Sequence, residues 1–345
     1  MPARIVWIAA VAALLLAPGA PAQESALAGS PAPKLSAGGM PEGLLTALDA
    51  IGGSGTPEGL GASWYPGRQV RNQPASLGLL DSFAGGSVPV YEKGGETLFA
   101  TATARGLSVL GSNAVLPDDS ARLPTQFWDV QAGGLYVGQL DGGRSWGVGG
   151  TLGSASDRPF HSRGELTANA LAFYRSPSGD RDAWLYYVVS STNGQVGRNI
   201  PVPGVAYEFT RDRIKGVVGF PFVSLTYSPC ARVQAEFYYA PLTDLTARVL
   251  VGPPDGARAY GGFVWASQSY FRAGRASRDD QLFLYEKRLE GGVRRSLGPQ
   301  FHVQVGGGYA FDRYFVENNG FSLSGRNRVD IGAGPYVGAQ LVAHY

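Results

Sequence analysis

One cysteine, Cys230, stands in 345 residues. A disulfide scaffold and a cysteine-built zinc site are therefore excluded. Histidine is nearly as scarce. His161, His302 and His344 lie far apart and form no metal-ligand spacing, so no metal and no cofactor is expected. Charge is also sparse at 16%, against roughly 25% in soluble domains, and nearly balanced at +2. No basic excess exists to pair with phosphates, so nucleic acid is not an expected partner. After residue 22 no apolar run approaches 18 residues, so the remainder holds no helical membrane span.

The one apolar run comes first. Arg4 precedes Ile5 to Ala17, then Pro18, Gly19 and the small-residue pattern Ala20-Pro21-Ala22. This is the layout of a secretory signal peptide, residues 1–22, cleaved after Ala22. Residues 23–59 are rich in Ala, Gly, Ser and Pro and read as a flexible leader. Within it Pro41 and the spacing of Leu44, Leu45 and Leu48 predict one or two amphipathic helical turns.

What the chain has in abundance is glycine, 50 residues, and aromatics, 39 residues. They sit in short runs that alternate with period two from about residue 60 to 345. Phe301, Val303, Val305, Gly307, Tyr309 and Phe311 share one face of a strand; His302, Gln304, Gly306, Gly308, Ala310 and Asp312 share the other. Val337, Ala339, Leu341, Ala343 and Tyr345 share a face near the C-terminus. Strands at 232–239 and 244–251 separate Val233, Ala235, Phe237, Tyr239 and Leu245, Ala247, Val249, Val251 from polar partners. Tight turns such as Lys93-Gly94-Gly95-Glu96 and Asp141-Gly142-Gly143 alternate with longer polar loops near 111–125, 155–164, 194–202, 272–280 and 317–327.

An apolar face, a polar or small face and alternating connection lengths predict an all-β chain: an antiparallel transmembrane β-barrel. Segmentation gives about fifteen strands from residue 76, plus a weak candidate at Gly61 to Tyr65. Length, at roughly 20 residues per strand with its connection, gives fewer. The expectation is about 14 strands, in a range of 12 to 16. The terminal Tyr345, with Leu341 on the same face, resembles the signal read by barrel assembly machinery. The expected location is the cell outer membrane, with its lipid and that machinery as partners.

Several phrases resemble an uncharacterised family of outer-membrane β-barrels from planctomycete-type bacteria, a domain of unknown function. They include Ala62-Ser63-Trp64-Tyr65-Pro66, Gly153 to Phe160, Ile200 to Tyr207, Gly219-Phe220-Pro221-Phe222, Tyr285-Glu286-Lys287-Arg288 and Gly307 to Tyr314. The resemblance spans most of the chain from residue 60. It implies fold and location, and no activity.

The densest charge cluster is Glu286, Lys287, Arg288, Glu290, Arg294 and Arg295. Alternation puts Glu286, Arg288, Glu290 and Arg294 on one face and Lys287 on the other. With Asp312, Gln304, Glu236 and Arg248 they are the pore-lining candidates, a field that would select small solutes by charge. The same residues could instead form a salt-bridge network filling a closed barrel. Ser154, Asp157 and His161 share one loop, yet no Gly-x-Ser-x-Gly elbow surrounds Ser154, so no catalytic residue is nominated and an enzyme is not expected. The expected function is a passive channel or binding barrel for small solutes. The alternatives are a structural or interaction barrel with a filled lumen and, more remotely, a membrane-embedded lipid hydrolase.

Overall fold

The computed structural model describes residues 59–343 apart from 112, 195–197, 241–243, 299–300 and 321–322. The expected signal peptide, the expected leader up to residue 58 with the short helix read there, and Tyr345 lie outside the described residues.

Sixteen strands form one closed antiparallel ring in chain order. They are β1 (Gly59–Gln69), β2 (Ser76–Lys93), β3 (Glu96–Leu110), β4 (Gln126–Leu140), β5 (Arg144–Ser156), β6 (Leu166–Pro177), β7 (Asp182–Ser191) and β8 (Val202–Thr210). There follow β9 (Ile214–Phe220), β10 (Val223–Cys230), β11 (Val233–Ala240), β12 (Asp244–Val251), β13 (Ala257–Tyr270), β14 (Gln281–Ser296) and β15 (Phe301–Asn318). The last, β16, is interrupted: Arg326–Ile331 pairs the upper part of β15, and Gly334–Ala343 pairs its lower part. Closure comes from β1 against β16, with Ser63 opposite Gly338. A closed ring leaves no unpaired edge among its strands.

The weak run at Gly61 to Tyr65 is β1, and sixteen is the top of the expected range. The length estimate came out low because β8 to β12 are only seven to nine residues long with short connections. At about 3.3 Å per residue, β2 and β15 with 18 residues run more than twice as far as β9 with 7 or β12 with 8. The wall is therefore low on one side.

Both chain termini of the ring, and the connections 94–95, 141–143, 178–181, 211–213 and 231–232, lie at one end. The longer loops 111–125, 157–165, 192–201, 271–280 and 319–325 lie at the other.

Burial shows which face is outside. Leu152, Val305, Val337 and Leu289 are 72, 56, 56 and 56% exposed, and all belong to the apolar side of the alternation. The buried set includes Arg313, Glu317, Glu286 and Asp81. A water-soluble sandwich has the reverse arrangement. Trp146, Tyr136, Trp184, Tyr186 and Tyr207 cluster on the outer face toward the short-turn end, and Trp64, Trp128 and Trp265 lie toward the other. No helix among the described residues is long and apolar enough to cross a membrane.

The lumen is not round. At the long-loop end Phe271, just beyond β13, makes a parallel bridge with Ser156 of β5, and its N–H donates to the Ala155 carbonyl at 2.7 Å. These strands stand on opposite sides of the ring. Their junction encloses β13 to β16 and β1 to β5 around an apolar core of Tyr65, Leu79, Leu107, Phe127, Tyr270, Leu284 and Phe315. Leu116 and Leu123 of the 111–125 loop fold into that core. A second apolar cluster, including Phe99, Leu135, Phe173, Leu185, Tyr187 and Val217, lines the inner faces of β3 to β9.

Candidate functional site

The inward face of β14 carries Glu286, Arg288, Glu290 and Arg294, as their alternation predicts. Each is placed by its register against β13: Ala266, Val264, Gly262 and Arg258. Glu286 accepts from the Tyr65 hydroxyl at 2.8 Å and from Arg288 at 2.7 Å, and Arg313 lies 3.6 Å from its other oxygen. Glu290 accepts from Arg248 Nε at 2.5 Å and from the Tyr336 hydroxyl at 3.2 Å, with Arg288 Nε 3.5 Å away. Arg294 donates to Gln304 at 3.2 Å and to Glu236 at 3.3 Å. The structure thus places seven of the eight pore-lining candidates on the lumenal side, in two bonded groups: Glu286, Arg288, Glu290 and Arg248, and Arg294, Gln304 and Glu236. Pairing of this kind is what allows charges to sit away from bulk water.

Asp312 is the correction. It lies on the outer face, with φ +48°, where its carboxylate accepts from Lys287 Nζ at 2.6 Å. The register between β14 and β15 shifts between Tyr285 and Lys287, and the extra residue on β15 turns the alternation over. Asp312 therefore lines no part of the lumen. Lys287 points outward as expected, 5.4 Å from the Trp265 ring centroid. Leu341 lies on the outer face beside Leu60 and Val303, in keeping with its alternation.

Other lumenal residues escape a strand-by-strand reading. Tyr65 and Tyr336 stack at 5.1 Å between centroids, and Arg313 lies 4.6 Å over Tyr65. On β2, Asp81 takes a two-pronged contact from Arg105 at 3.0 and 2.7 Å and a third bond from Gln268 of β13 at 3.0 Å. These partners come from strands up to five places apart in the ring. Only the closed ring brings them together.

A cavity of about 60 Å³ remains inside, bordered by Arg248, Arg288, Glu290, Tyr260, Gln304 and Gln340. Gly306 of β15 and Gly338 of β16, which face each other across the sheet, line it, and Gly292 of β14 continues their row. A Cβ on Gly306 would lie 2.2 Å from the Tyr260 hydroxyl, and one on Gly338 2.7 Å from Ser63 Oγ. Side chains there would close the space.

The long-loop end is latched by Arg272. Its guanidinium donates to both oxygens of Glu317, at 3.2 and 3.1 Å, and to the carboxylate of Asp119. Asn327 binds Glu317 at 2.6 Å, and its side-chain oxygen accepts from the Asp118 and Asp119 N–H groups. Burial acts to raise the Asp119 pKa, but hydrogen bonds from Asn327 and Arg272 outweigh it and hold the carboxyl below its usual value. Phe271 lies 5.0 Å from both the Arg198 and the Arg275 guanidinium.

Ser154 and Asp157 staple a loop. Ser154 Oγ donates to the Glu165 carbonyl at 2.8 Å and accepts from Phe160 N–H at 3.1 Å. Asp157 accepts from the Ala273 N–H at 2.7 Å.

No family model matches the chain, and no curated protein matches it.

Proposed function

We propose that this chain is an outer-membrane β-barrel that binds and passes small hydrophilic solutes through its lumen, closed at the long-loop end in the conformation described. The observation that carries this reading is the inverted burial pattern. An apolar wall faces outward, while two arginines, two glutamines and Glu290 border a residual polar cavity. An even strand number, short turns at the end holding the termini and longer loops opposite are the pattern of such barrels.

The closed end gives a second reading its support. The apolar core at the long-loop end and the Arg272 latch would also suit a structural barrel with a filled lumen. The readings part in planar bilayers. Arg272→Ala removes the latch, so a solute barrel then shows frequent conductance steps where the wild type shows few. Absence of conductance in both proteins, together with no solute binding, would leave the filled barrel as the function.

A further inference from the structure

Five arginines, Arg248, Arg258, Arg288, Arg294 and Arg313, project into the lumen from β12 to β15. The carboxylates that meet them are Glu236, Glu286 and Glu290. The group therefore carries two more positive than negative charges. Arg258 shows where the excess lies. It stands directly across from Arg294, a like-charge pair that an antiparallel sheet disfavours. Its hydrogen bond is to the neutral Gln234 at 3.0 Å, and among the described residues no carboxylate faces it in an ion pair. Its buried Nε has no hydrogen-bond partner, nor does the buried Nε of Arg288.

Arg258, which has no carboxylate in an ion pair among the described residues, lies on one side of the glycine row, and Arg288, paired with Glu286 and Glu290, lies on the other. Arg288 lines the cavity itself. Arg258 and Arg294 lie one row nearer the short-turn end. Around the cavity stand the donors Arg248, Arg288, Tyr260, Gln304, Gln340 and Ser63. The one carboxylate there, Glu290, already accepts from Arg248 and Tyr336. A pocket of about 60 Å³ rich in N–H and O–H donors, with two arginines and one carboxylate on its lining, suits a ligand that is small, negative and rich in acceptors.

We propose that the glycine-row cavity is a binding site for a small inorganic oxyanion of the phosphate class, reached from the short-turn end past Arg258 and Arg294. This rests on the reading of the lumen as solute-handling and names the solute class. Fixed cations along the approach raise the local anion concentration, and planar guanidinium groups match an oxyanion's acceptors.

The test is equilibrium dialysis of the full-length refolded protein in detergent with labelled inorganic phosphate, and with rubidium ion as the cation control. The expected result is saturable binding near one phosphate per barrel, displaced by sulfate, with no rubidium retained. Arg258→Gln, which leaves no carboxylate without its partner, should weaken phosphate about tenfold. The neutral double variant Arg248→Gln with Glu290→Gln should lose it, with heat-modifiable gel migration checking the fold. If the double variant does not fold, Arg258→Gln decides alone. No saturable phosphate binding, or unchanged binding in Arg258→Gln, overturns the proposal. Liposome efflux of a neutral sugar separates the two levels. Efflux without phosphate binding sinks the oxyanion site and keeps the solute barrel; neither efflux nor binding sinks both.

Discussion

Phe271 and Ser156 sit eight strands apart in a ring of sixteen and still bridge backbone to backbone, with Phe271 N–H on the Ala155 carbonyl at 2.7 Å. The lumen is pinched at that level. A pinch lets a wide ring bury an apolar core at one end while keeping a polar cavity lower down.

Removing the Phe271 ring should loosen the pinch. The ring holds Arg198 of the 192–201 loop and Arg275 of the 271–280 loop on cation–π contacts, each worth up to about 2 kcal/mol when desolvated. Phe271→Ala is expected to speed trypsin cleavage in those two loops in proteoliposomes, with the strands left intact. Unchanged cleavage would show that the bridge stands without the ring.

The latch at Arg272 should weaken in acid. Asp119 has its pKa depressed in the folded protein, so its contribution is present above the ordinary carboxylate range and is lost as pH falls through the depressed value. Lowering the pH below the ordinary aspartate value of about 3.9 is therefore expected to raise open probability in planar bilayers. Asp119→Asn should raise it at neutral pH and flatten the response. An acid response of full size in Asp119→Asn would assign the effect to another group.

Outer and inner faces should answer differently to a cation. Val305→Arg puts a guanidinium on the exposed apolar wall, at a cost of about 2–4 kcal/mol near a bilayer midplane. Thr226→Arg faces the lumen opposite Glu236 and should fold nearly as well as wild type. Gln304→Arg, by contrast, crowds Arg294 and is expected to lower the yield. Urea midpoints of vesicle-inserted protein check all three, and equal loss at Val305 and Thr226 would mean the faces are misassigned.

Asp312→Ala should leave solute binding and conductance unchanged, because Asp312 meets Lys287 on the outer face. Both side chains are partly exposed, at 34 and 45%, so the pair contributes no more than about 1 kcal/mol. A changed ion selectivity would return Asp312 to the lumen.

The face of each strand was legible wherever the period of two ran unbroken. Glu286, Arg288, Glu290 and Arg294 share the lumen because nothing interrupts 286–294, and Leu341 faces outward for the same reason. Asp312 failed because a bulge leaves no trace in hydrophobic alternation: Phe311 and Tyr314 straddle it and both remain outside. Arg258 was readable in principle, since it shares the parity of Tyr260, but only pairing to Arg294 gives it meaning. The Arg272–Asp119 and Ser156–Phe271 contacts were out of reach, because they join residues more than 110 positions apart through the curvature of the ring.

The outward wall as a lipid-facing surface is the claim on which the rest depends, and spin-label accessibility in outer membranes tests it most directly. Val305→Cys, Val249→Cys and Thr246→Cys would be labelled separately in a Cys230→Ser background, since Cys230 is exposed. The expected result is high collision rates with oxygen and low rates with a polar nickel chelate at positions 305 and 249, and lower oxygen accessibility at 246. Chelate accessibility at 305 and 249 equal to that of a water-exposed turn would contradict the membrane barrel.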